Sequence, residues 1–529
     1  MSDNSIFRVG SNKQIWQKFC GFLDLSVEEF MEIQEQLLLE EIKLIAPTPI
    51  GKNLINGETP ESVAQFREAV PLTTYDDYAP FLSERKEDAL AENAYFWGHT
   101  SGRSGAFKWV PYTRRAYERI SEIALAGIIL ACADRKGEIN IAEGDRVLYN
   151  IPPKPYLSGI VASGFSDLFK FRFIPPIEEW ENMDFQERIE KGFKMALRTG
   201  VDILGSMSSI LVRMGEVFTE RSMHMKFSPF MLHPAVLLRL TRALIRSRVQ
   251  GRPILPKDLW QVKAILGTGM DTSIFKDKVV YYWGRIPHEY YGATEVGAIA
   301  VQSWDKRNSA MCFVPHAAFY EFIPEEEWLK ANEDEDYSPP TILLDQVEVG
   351  KRYEIVVTNF YGMPFLRYRL GDLIEIVSLN DQETGINLPQ MVFEARSDGI
   401  IDIAGFTRLD EKTVWQAITN TEIKHKDWTI RKEYSGDKPV LHLYIELSEA
   451  IDSEEVKRRI DESLVAVDSF YADLSSMLDI HPLRVTVLPN EAFQRYYEQK
   501  RAAGLDLAWL KPPHMNASDD VIEDLLSFR

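Results

Sequence analysis

Val201-Asp-Ile-Leu-Gly-Ser206 and Lys263-Ala-Ile-Leu-Gly-Thr-Gly269 repeat one design: a short apolar run closed by glycine and a hydroxyl. A continuous apolar run of that length, bounded by a turn signal, reads as a strand buried on both faces. Arg146-Val-Leu-Tyr-Asn-Ile151 reads the same way and is stopped by Pro152-Pro153, while Ser208 opens a helical pattern. Strands alternating with helices predict an α/β fold with a largely parallel sheet, which binds ligands beyond the C-terminal ends of its strands. Lys278-Val-Val-Tyr-Tyr-Trp283 and His288-Glu-Tyr-Tyr-Gly292 read as further strand and loop material.

Towards the N-terminus, Ser26-Val-Glu-Glu29 is a capping box. It opens a helix to about Ala46, with Phe30, Ile33, Leu37, Leu38 and Ile42 near a 3.6-residue period. A long helix is expected from Arg114 to Asp134. Tyr156-Leu-Ser-Gly-Ile-Val-Ala-Ser-Gly164 is small and apolar, suited either to lining a pocket or to close helix packing. From Ala318 to Leu379 the chain turns strand-rich, as in a small β-subdomain extending to about residue 395. Arg396-Ser-Asp-Gly399 is a polar turn and a domain boundary, dividing a large N-terminal domain (1–397) from a small α+β domain (398–529). In the latter, helices at Asp410–Ile418 and Ser453–Val467 alternate with strands at Thr429–Tyr434, Val440–Leu447 and Arg484–Leu488.

A length of 529 residues exceeds what one core holds. The 60 basic and 80 acidic residues give a net charge of −20, which argues against general nucleic-acid or anionic-membrane binding. An anionic ligand would therefore need a local basic pocket. Cys20, Cys132 and Cys312 are dispersed and odd in number, compatible with a reducing, cytoplasmic compartment. No signal peptide is evident, and the longest apolar stretch, Ile123–Cys132, is too short to span a bilayer.

Thr100-Ser-Gly-Arg-Ser-Gly-Ala-Phe-Lys108 concentrates hydroxyls, two glycines and cations between a strand-like aromatic run and the helix near Thr113. Glycines let backbone N–H groups approach an oxyanion, and hydroxyls with an ammonium add donors. The same composition also suits a surface turn, and the spacing is not that of the G-x-x-x-x-G-K-[ST] loop. Three further stretches bear on it. Tyr291-Gly-Ala-Thr-Glu295 ends a strand region, Arg367-Tyr-Arg-Leu-Gly-Asp372 puts a carboxylate on a turn between two strands, and Arg396-Ser-Asp398 lies at the boundary.

In this order and spacing the four stretches resemble the adenylate-forming superfamily of acyl-CoA synthetases, nonribosomal peptide adenylation domains and luciferases. Within it, the chain is most similar to the auxin-responsive promoter family of acyl acid amido synthetases, the plant jasmonate- and auxin-conjugating enzymes and their bacterial relatives. Val201–Ser206, Ala318-Phe-Tyr-Glu-Phe-Ile323, Tyr353-Glu-Ile-Val-Val-Thr358, Pro482-Leu-Arg-Val485, Phe493 and Leu510-Lys-Pro-Pro513 carry the narrower match.

The resemblance implies a ligase that uses ATP and Mg²⁺ to convert a small carboxylic acid into an acyl-adenylate. The acyl group then passes to an amine, an amino acid being the expected acceptor. By the same resemblance Thr100, Ser101, Gly102, Ser104, Gly105 and Lys108 would cradle the β- and γ-phosphates. Tyr291, Gly292 and Ala293 would flank the adenine, Thr294 would reach the α-phosphate, and Glu295 would hold Mg²⁺. Asp372 would bind the ribose hydroxyls with Arg396 close by, and Asp398 would be the hinge of a mobile C-terminal lid. Lys511 would bridge the acyl carboxylate and the α-phosphate, and Tyr156, Leu157 and Gly269 would border the acyl pocket. Arg103 stands where relatives usually carry Thr or Ser, and Phe107 where Pro or Glu is common. A CoA ligase of the same superfamily, and a catalytically weak nucleotide-binding protein, are the alternatives.

Overall fold

The computed structural model describes residues 7, 10–99, 108–150, 154–183, 185–223, 229–268, 272–307, 309–334, 337–396, 399–403, 407–436, 438–478, 480–502 and 514–527. The chain divides into two units, Met1–Ala395 and Arg396–Arg529. The strands of the first are β1 (Phe96–His99), β2 (Trp109–Tyr112), β3 (Arg146–Asn150), β4 (Arg172–Ile174), β5 (Ile203–Met207), β6 (Ala264–Thr268) and β7 (Pro287–Ala293). They continue with β8 (Gly297–Gln302), β9 (Met311–Phe313), β10 (Ala318–Pro324), β11 (Arg352–Asn359), β12 (Tyr368–Ser378) and β13 (Gln390–Arg396).

Among the described residues, eleven of these form one sheet in the order β10-β11-β12-β13-β9-β8-β7-β6-β5-β3-β4. From β4 to β7 the pairings are parallel, and the apolar runs of β5 and β6 are neighbours, with Ile203 opposite Ala264. Beyond β7 the resolved pairings are antiparallel. The strand-rich region 318–395 is therefore the antiparallel wing of the same sheet, continuous with the parallel wing through β7 and β8.

The period of two along the parallel strands sorts their side chains into two cores. Val147, Tyr149, Ile203, Ala264 and Leu266 belong to one, and Leu148, Leu204 and Ile265 to the other. Each face needs its own cover, which explains why these strands read as unbroken apolar runs. The helix Arg114–Cys132, capped by Thr113 accepting from the Ala116 N–H, covers the first face with Leu125, Ile128 and Ile129. The second is covered by the helices Ser208–Met223 and Thr272–Trp283.

The helix Thr272–Trp283 corrects the strand expected at Lys278–Trp283. β-branched and aromatic residues favour strands only weakly, and packing overrides that preference. Phe275, Val279 and Trp283, spaced i, i+4, i+8, are all buried in the second core, whereas Tyr281 is exposed. That stripe is helical.

In the second unit β14 (Ile401–Ile403) and β15 (Thr407–Leu409) pair, and β16 (His425–Ser435), β17 (Lys438–Leu447) and β18 (Leu483–Val487) form a separate three-stranded sheet. β17 and β18 are parallel, and the crossover between them carries the helices Ser453–Val467 and Ser469–Leu478. The helix Glu411–Asn420 starts on the cap Asp410, whose carboxylate accepts from the Thr413 N–H. No helix among the described residues is long and apolar enough to cross a membrane.

Candidate active site

Tyr291, Gly292 and Ala293 close β7, and Thr294–Val296 form the tight turn into β8. The turn is held by the Val296 N–H donating to the Ala293 carbonyl at 3.1 Å. A Cβ on Gly292 would collide with the Gly297 carbonyl across the hairpin, so the backbone approach here requires glycine. The Thr294–Glu295 pair thus sits at the C-terminal end of a sheet strand, at the junction of the parallel and antiparallel wings.

Two neighbouring strands hold that turn. Asn359, the last residue of β11, donates from Nδ2 to the Glu295 carbonyl at 3.0 Å and accepts from the Phe365 N–H at 3.0 Å. Tyr368, the first residue of β12, has its hydroxyl 3.3 Å from Glu295 Oε1. Three residues on, Gly371 has φ +71°, and Val356↔Arg369 is followed by Glu354↔Leu373, so β12 carries extra residues as a bulge. Bulges re-aim side chains, and this one presents Asp372 to β7. The Tyr291 hydroxyl donates to Asp372 Oδ2 at 2.5 Å. Asp372 therefore lies within a strand rather than on the turn expected between two strands.

Arg367 behaves differently from the rest of its box. Its Nε and one terminal nitrogen donate to Glu321, at 3.0 Å each, and that nitrogen also reaches Thr341 Oγ1 at 3.1 Å. The other donates to the carbonyls of Arg67 and Val70, at 2.7 Å each. All five guanidinium N–H groups are used in the interior. Arg369 pairs likewise with Glu354, at 2.6 Å. The two arginines brace the sheet, and the tyrosine and aspartate face the site.

β1 and β2, which flank residues 100–107, pair antiparallel with His99 opposite Trp109. The Tyr112 hydroxyl, on β2, donates to the carbonyl of Thr294. This contact ties the strand following the Gly/Ser stretch to the Thr294–Glu295 turn. Tyr75 accepts from the Trp109 N–H at 2.7 Å, and Lys108 Nζ stands 5.4 Å from its ring centroid. Burial, with the Glu295 carboxylate as a smaller contribution, pushes the Tyr75 phenol up to about 12 and raises that of Tyr112 further. Both stay neutral hydrogen-bonding groups near neutral pH.

Tyr156 immediately precedes the helix Leu157–Leu168, and its ring meets His99 edge-on at 4.8 Å. Gly164 of that helix lies against Ser121 of Arg114–Cys132, so this segment combines close helix packing with a place beside β1. Arg396 is the last residue of β13. Thr100, Ser101, Gly102, Arg103, Ser104, Gly105, Phe107, Gly269, Asp398 and Lys511 lie outside the described residues.

Tyr75, Tyr112, Asn359 and Tyr368 were not singled out by the sequence reading. Tyr368 lies inside the Arg367–Asp372 box without a role of its own there, and Tyr112 follows the Gly/Ser stretch by four residues. Tyr75 and Asn359 come from distant segments and left no local signal.

Glu41, from the helix Val27–Ile45, supports the β11–β12 connection by accepting from the Gly362 N–H at 2.8 and 3.0 Å. Burial pushes its carboxyl up to about 8, opposed by that hydrogen bond. The folded state then holds a proton that the unfolded chain releases near pH ~4.3, so stability falls as pH rises from there towards 8. Glu41→Gln should flatten that slope, measured as the urea midpoint at acid and alkaline pH. Parallel midpoints for both proteins would disprove it.

Among the described residues no group of three or more His, Cys, Asp or Glu forms a metal cage. Mg²⁺ bound to nucleotide phosphates needs only one or two protein carboxylates, and the half-buried Glu295 suits that requirement.

The chain matches, in order, the GH3 family N-terminal domain over residues 20–151, the GH3 family central domain over 311–396 and the GH3 family C-terminal domain over 411–520. It is 25% identical over 268 residues to a jasmonoyl–L-amino acid synthetase of Oryza sativa subsp. japonica, covering 47% of this chain and 45% of that protein. It is 26% identical over 218 residues to an indole-3-acetic acid-amido synthetase of Arabidopsis thaliana, covering 38% and 34%. The similarity thus spans less than half the length of these relatives. Among solved structures, the fold resembles the GH3.15 acyl acid amido synthetase in complex with 2,4-DB, with a TM-score of 0.56 at 17% identity over 98% of this chain and 96% of that one. It also resembles 2-hydroxyisobutyryl-CoA ligase in complex with 2-HIB-AMP and CoA, with a TM-score of 0.59 at 13% identity over 93% and 96%.

Proposed function

The chain belongs to the GH3 family, and from that premise we propose that it is an ATP-dependent ligase joining a small carboxylic acid to the amine of an amino acid. In the first step a carboxylate oxygen attacks the α-phosphorus of ATP and pyrophosphate leaves. In the second the amine attacks the acyl carbon, AMP leaves and the nitrogen gives up a proton. Both curated relatives are named for amide-forming chemistry, which favours amide formation over a thioester.

One observation carries the reading: Tyr112 and Tyr291 join the flank of the Gly/Ser stretch, the Thr294–Glu295 turn and Asp372 into one hydrogen-bonded group at the C-terminal edge of β7. Two anions must meet in the first step, so the site has to orient them and meet the charge that develops. In this proposal Thr100, Ser101, Gly102, Ser104, Gly105 and Lys108 hold the β- and γ-phosphates, and Thr294 holds the α-phosphate. Glu295 holds Mg²⁺, which when bound neutralises phosphate charge. Tyr291, Gly292 and Ala293 flank the adenine. Asp372 accepts from the ribose hydroxyls beside Arg396, and Tyr156, Leu157 and Gly269 border the acyl group. Lys511 comes from the second unit, with Asp398 as the hinge. The buried, unpaired cysteines suit a cytoplasmic setting.

Incubation with ATP, a panel of aromatic, indolic and fatty acids, and either amino acids or CoA tests the proposal. Acid-dependent exchange of pyrophosphate into ATP together with an amide product is expected. A thioester product would replace the amide step, and no exchange with any acid would end the ligase reading. Asp372→Ala should raise the KM for ATP about 10- to 100-fold, the worth of charge-assisted hydrogen bonds. An unchanged KM would remove the ribose role.

A further inference from the structure

Lys511 is followed by two prolines, and the chain re-enters the described structure at His514. There its backbone joins the open edge of the small sheet. The Ile430 N–H donates to the His514 carbonyl at 2.7 Å, and the Asn516 N–H donates to the Ile430 carbonyl at 2.8 Å, giving a parallel bridge of Ile430 with Met515. The His514 ring stacks on Trp428, with centroids 4.3 Å apart and planes 12° from parallel. Its Nδ1 is 2.5 Å from Glu411 Oε1, and its Nε2 is 2.8 Å from Asp427 Oδ1.

A carboxylate oxygen only accepts, and a neutral imidazole has a single N–H. Both contacts are satisfied together only by the imidazolium. Among the described residues, the carboxylates in contact with the ring come from two elements: Glu411 on the helix Glu411–Asn420, and Asp427 on β16, where the register shifts in a bulge. The wall of the ring is the uncharged Trp428. The side chain is 12% exposed, so the carboxylates stand in for most of its hydration.

We propose that His514 is a cationic clasp that fastens the chain just after Lys511 to two elements of the second unit, and so acts as a positioning residue for adenylation. The inference rests on the role given to Lys511 above. Three extended residues reach at most about 10 Å, so a fixed His514 keeps the lysine backbone within that radius of a defined point. Deprotonation leaves one carboxylate facing a lone pair, and the clasp loosens as pH rises.

The test compares full-length wild type, His514→Gln and His514→Arg. Glutamine is neutral, whereas the guanidinium is permanently charged, planar, able to donate from two edges and able to stack on Trp428. Pyrophosphate exchange at saturating acid is followed from about pH 6 to about pH 9. Wild type should lose kcat on the alkaline side. His514→Gln should lower kcat at neutral pH about 10- to 100-fold, the cost of a small misplacement, with the KM for ATP unchanged. His514→Arg should keep the wild-type rate without the alkaline loss. Wild-type kcat and pH profile in His514→Gln, or a His514→Arg protein as slow as His514→Gln, would overturn the clasp.

Tryptophan emission gives a readout independent of turnover, because an imidazolium stacked on indole quenches it more than the neutral ring does. Emission of the wild type should rise through an alkaline transition that both variants lack. If wild type showed no exchange with any acid, the ligase reading would fall while this titration still decided the clasp. A transition abolished in both variants upholds it, and no transition overturns it.

Discussion

Lys511→Ala is expected to lower the maximal rate of acid-dependent pyrophosphate exchange about 100- to 1,000-fold, with the KM for ATP nearly unchanged. The carboxylate and the α-phosphate are both anionic, and negative charge concentrates between them as the new oxygen–phosphorus bond forms. A lysine ammonium brought to that point stabilises the transition state more than either ground state, so its loss appears in kcat. The local cation matters the more in a chain whose net charge is −20. ATP is expected to be held mainly by the Gly/Ser stretch, Thr294 and Asp372, which the substitution leaves intact. Amide formation from a synthetic acyl-adenylate should survive, since the phosphorus–oxygen bond is already made. Exchange within about threefold of wild type, in a protein of unchanged unfolding midpoint, would remove Lys511 from the mechanism.

Arg367→Met is expected to destabilise the first unit by about 3–5 kcal/mol, the usual cost of removing one partner from a buried ion pair. Glu321 is 1% exposed and would lose both Arg367 donors, keeping Arg67, whose Nε is 3.1 Å away, and the Thr341 hydroxyl at 2.6 Å, while the Arg67 and Val70 carbonyls would lose their shared donor. Methionine fills much of the volume and isolates the electrostatic loss from a cavity. Arg367→Lys should not restore stability, because an ammonium cannot reproduce five donors in a planar fork. The measurement is urea unfolding of the full chain, following the transition of the first unit. A methionine variant within about 1 kcal/mol of wild type would show that the network is not what holds these strands.

That arginine marks the limit of motif reading. Arg367 to Asp372 reads as one box, yet the structure divides it. Arg367 and Arg369 point to Glu321 and Glu354 in the sheet, while Tyr368 and Asp372 point to Glu295 and Tyr291. Alternation along a strand explains part of the division, and the bulge at Gly371 changes the count before Asp372. A glycine inside a strand pattern hints at a bulge, but it does not say how far the register shifts or which side chain is re-aimed.

By itself, the sequence determined the features that depend on short-range physics. Apolar runs stopped by glycine or proline specified the buried parallel strands β3, β5 and β6. The capping box at Ser26 marked a helix start, and the helices expected near Thr113 and Asp410 begin there, with those residues as their caps. The ordered boxes picked out the strand ends that converge on Tyr291, Glu295 and Asp372. Tertiary structure alone decided the rest. Lys278–Trp283 became helical because a face of the sheet needed Phe275, Val279 and Trp283 together. The strands after Ala318 joined the parallel wing in one sheet because edge pairing is chosen between distant segments. Tyr75, Tyr112 and Asn359 entered the site through contacts to residues far along the chain. Local sequence encodes which face is buried, and the fold chooses what meets it there.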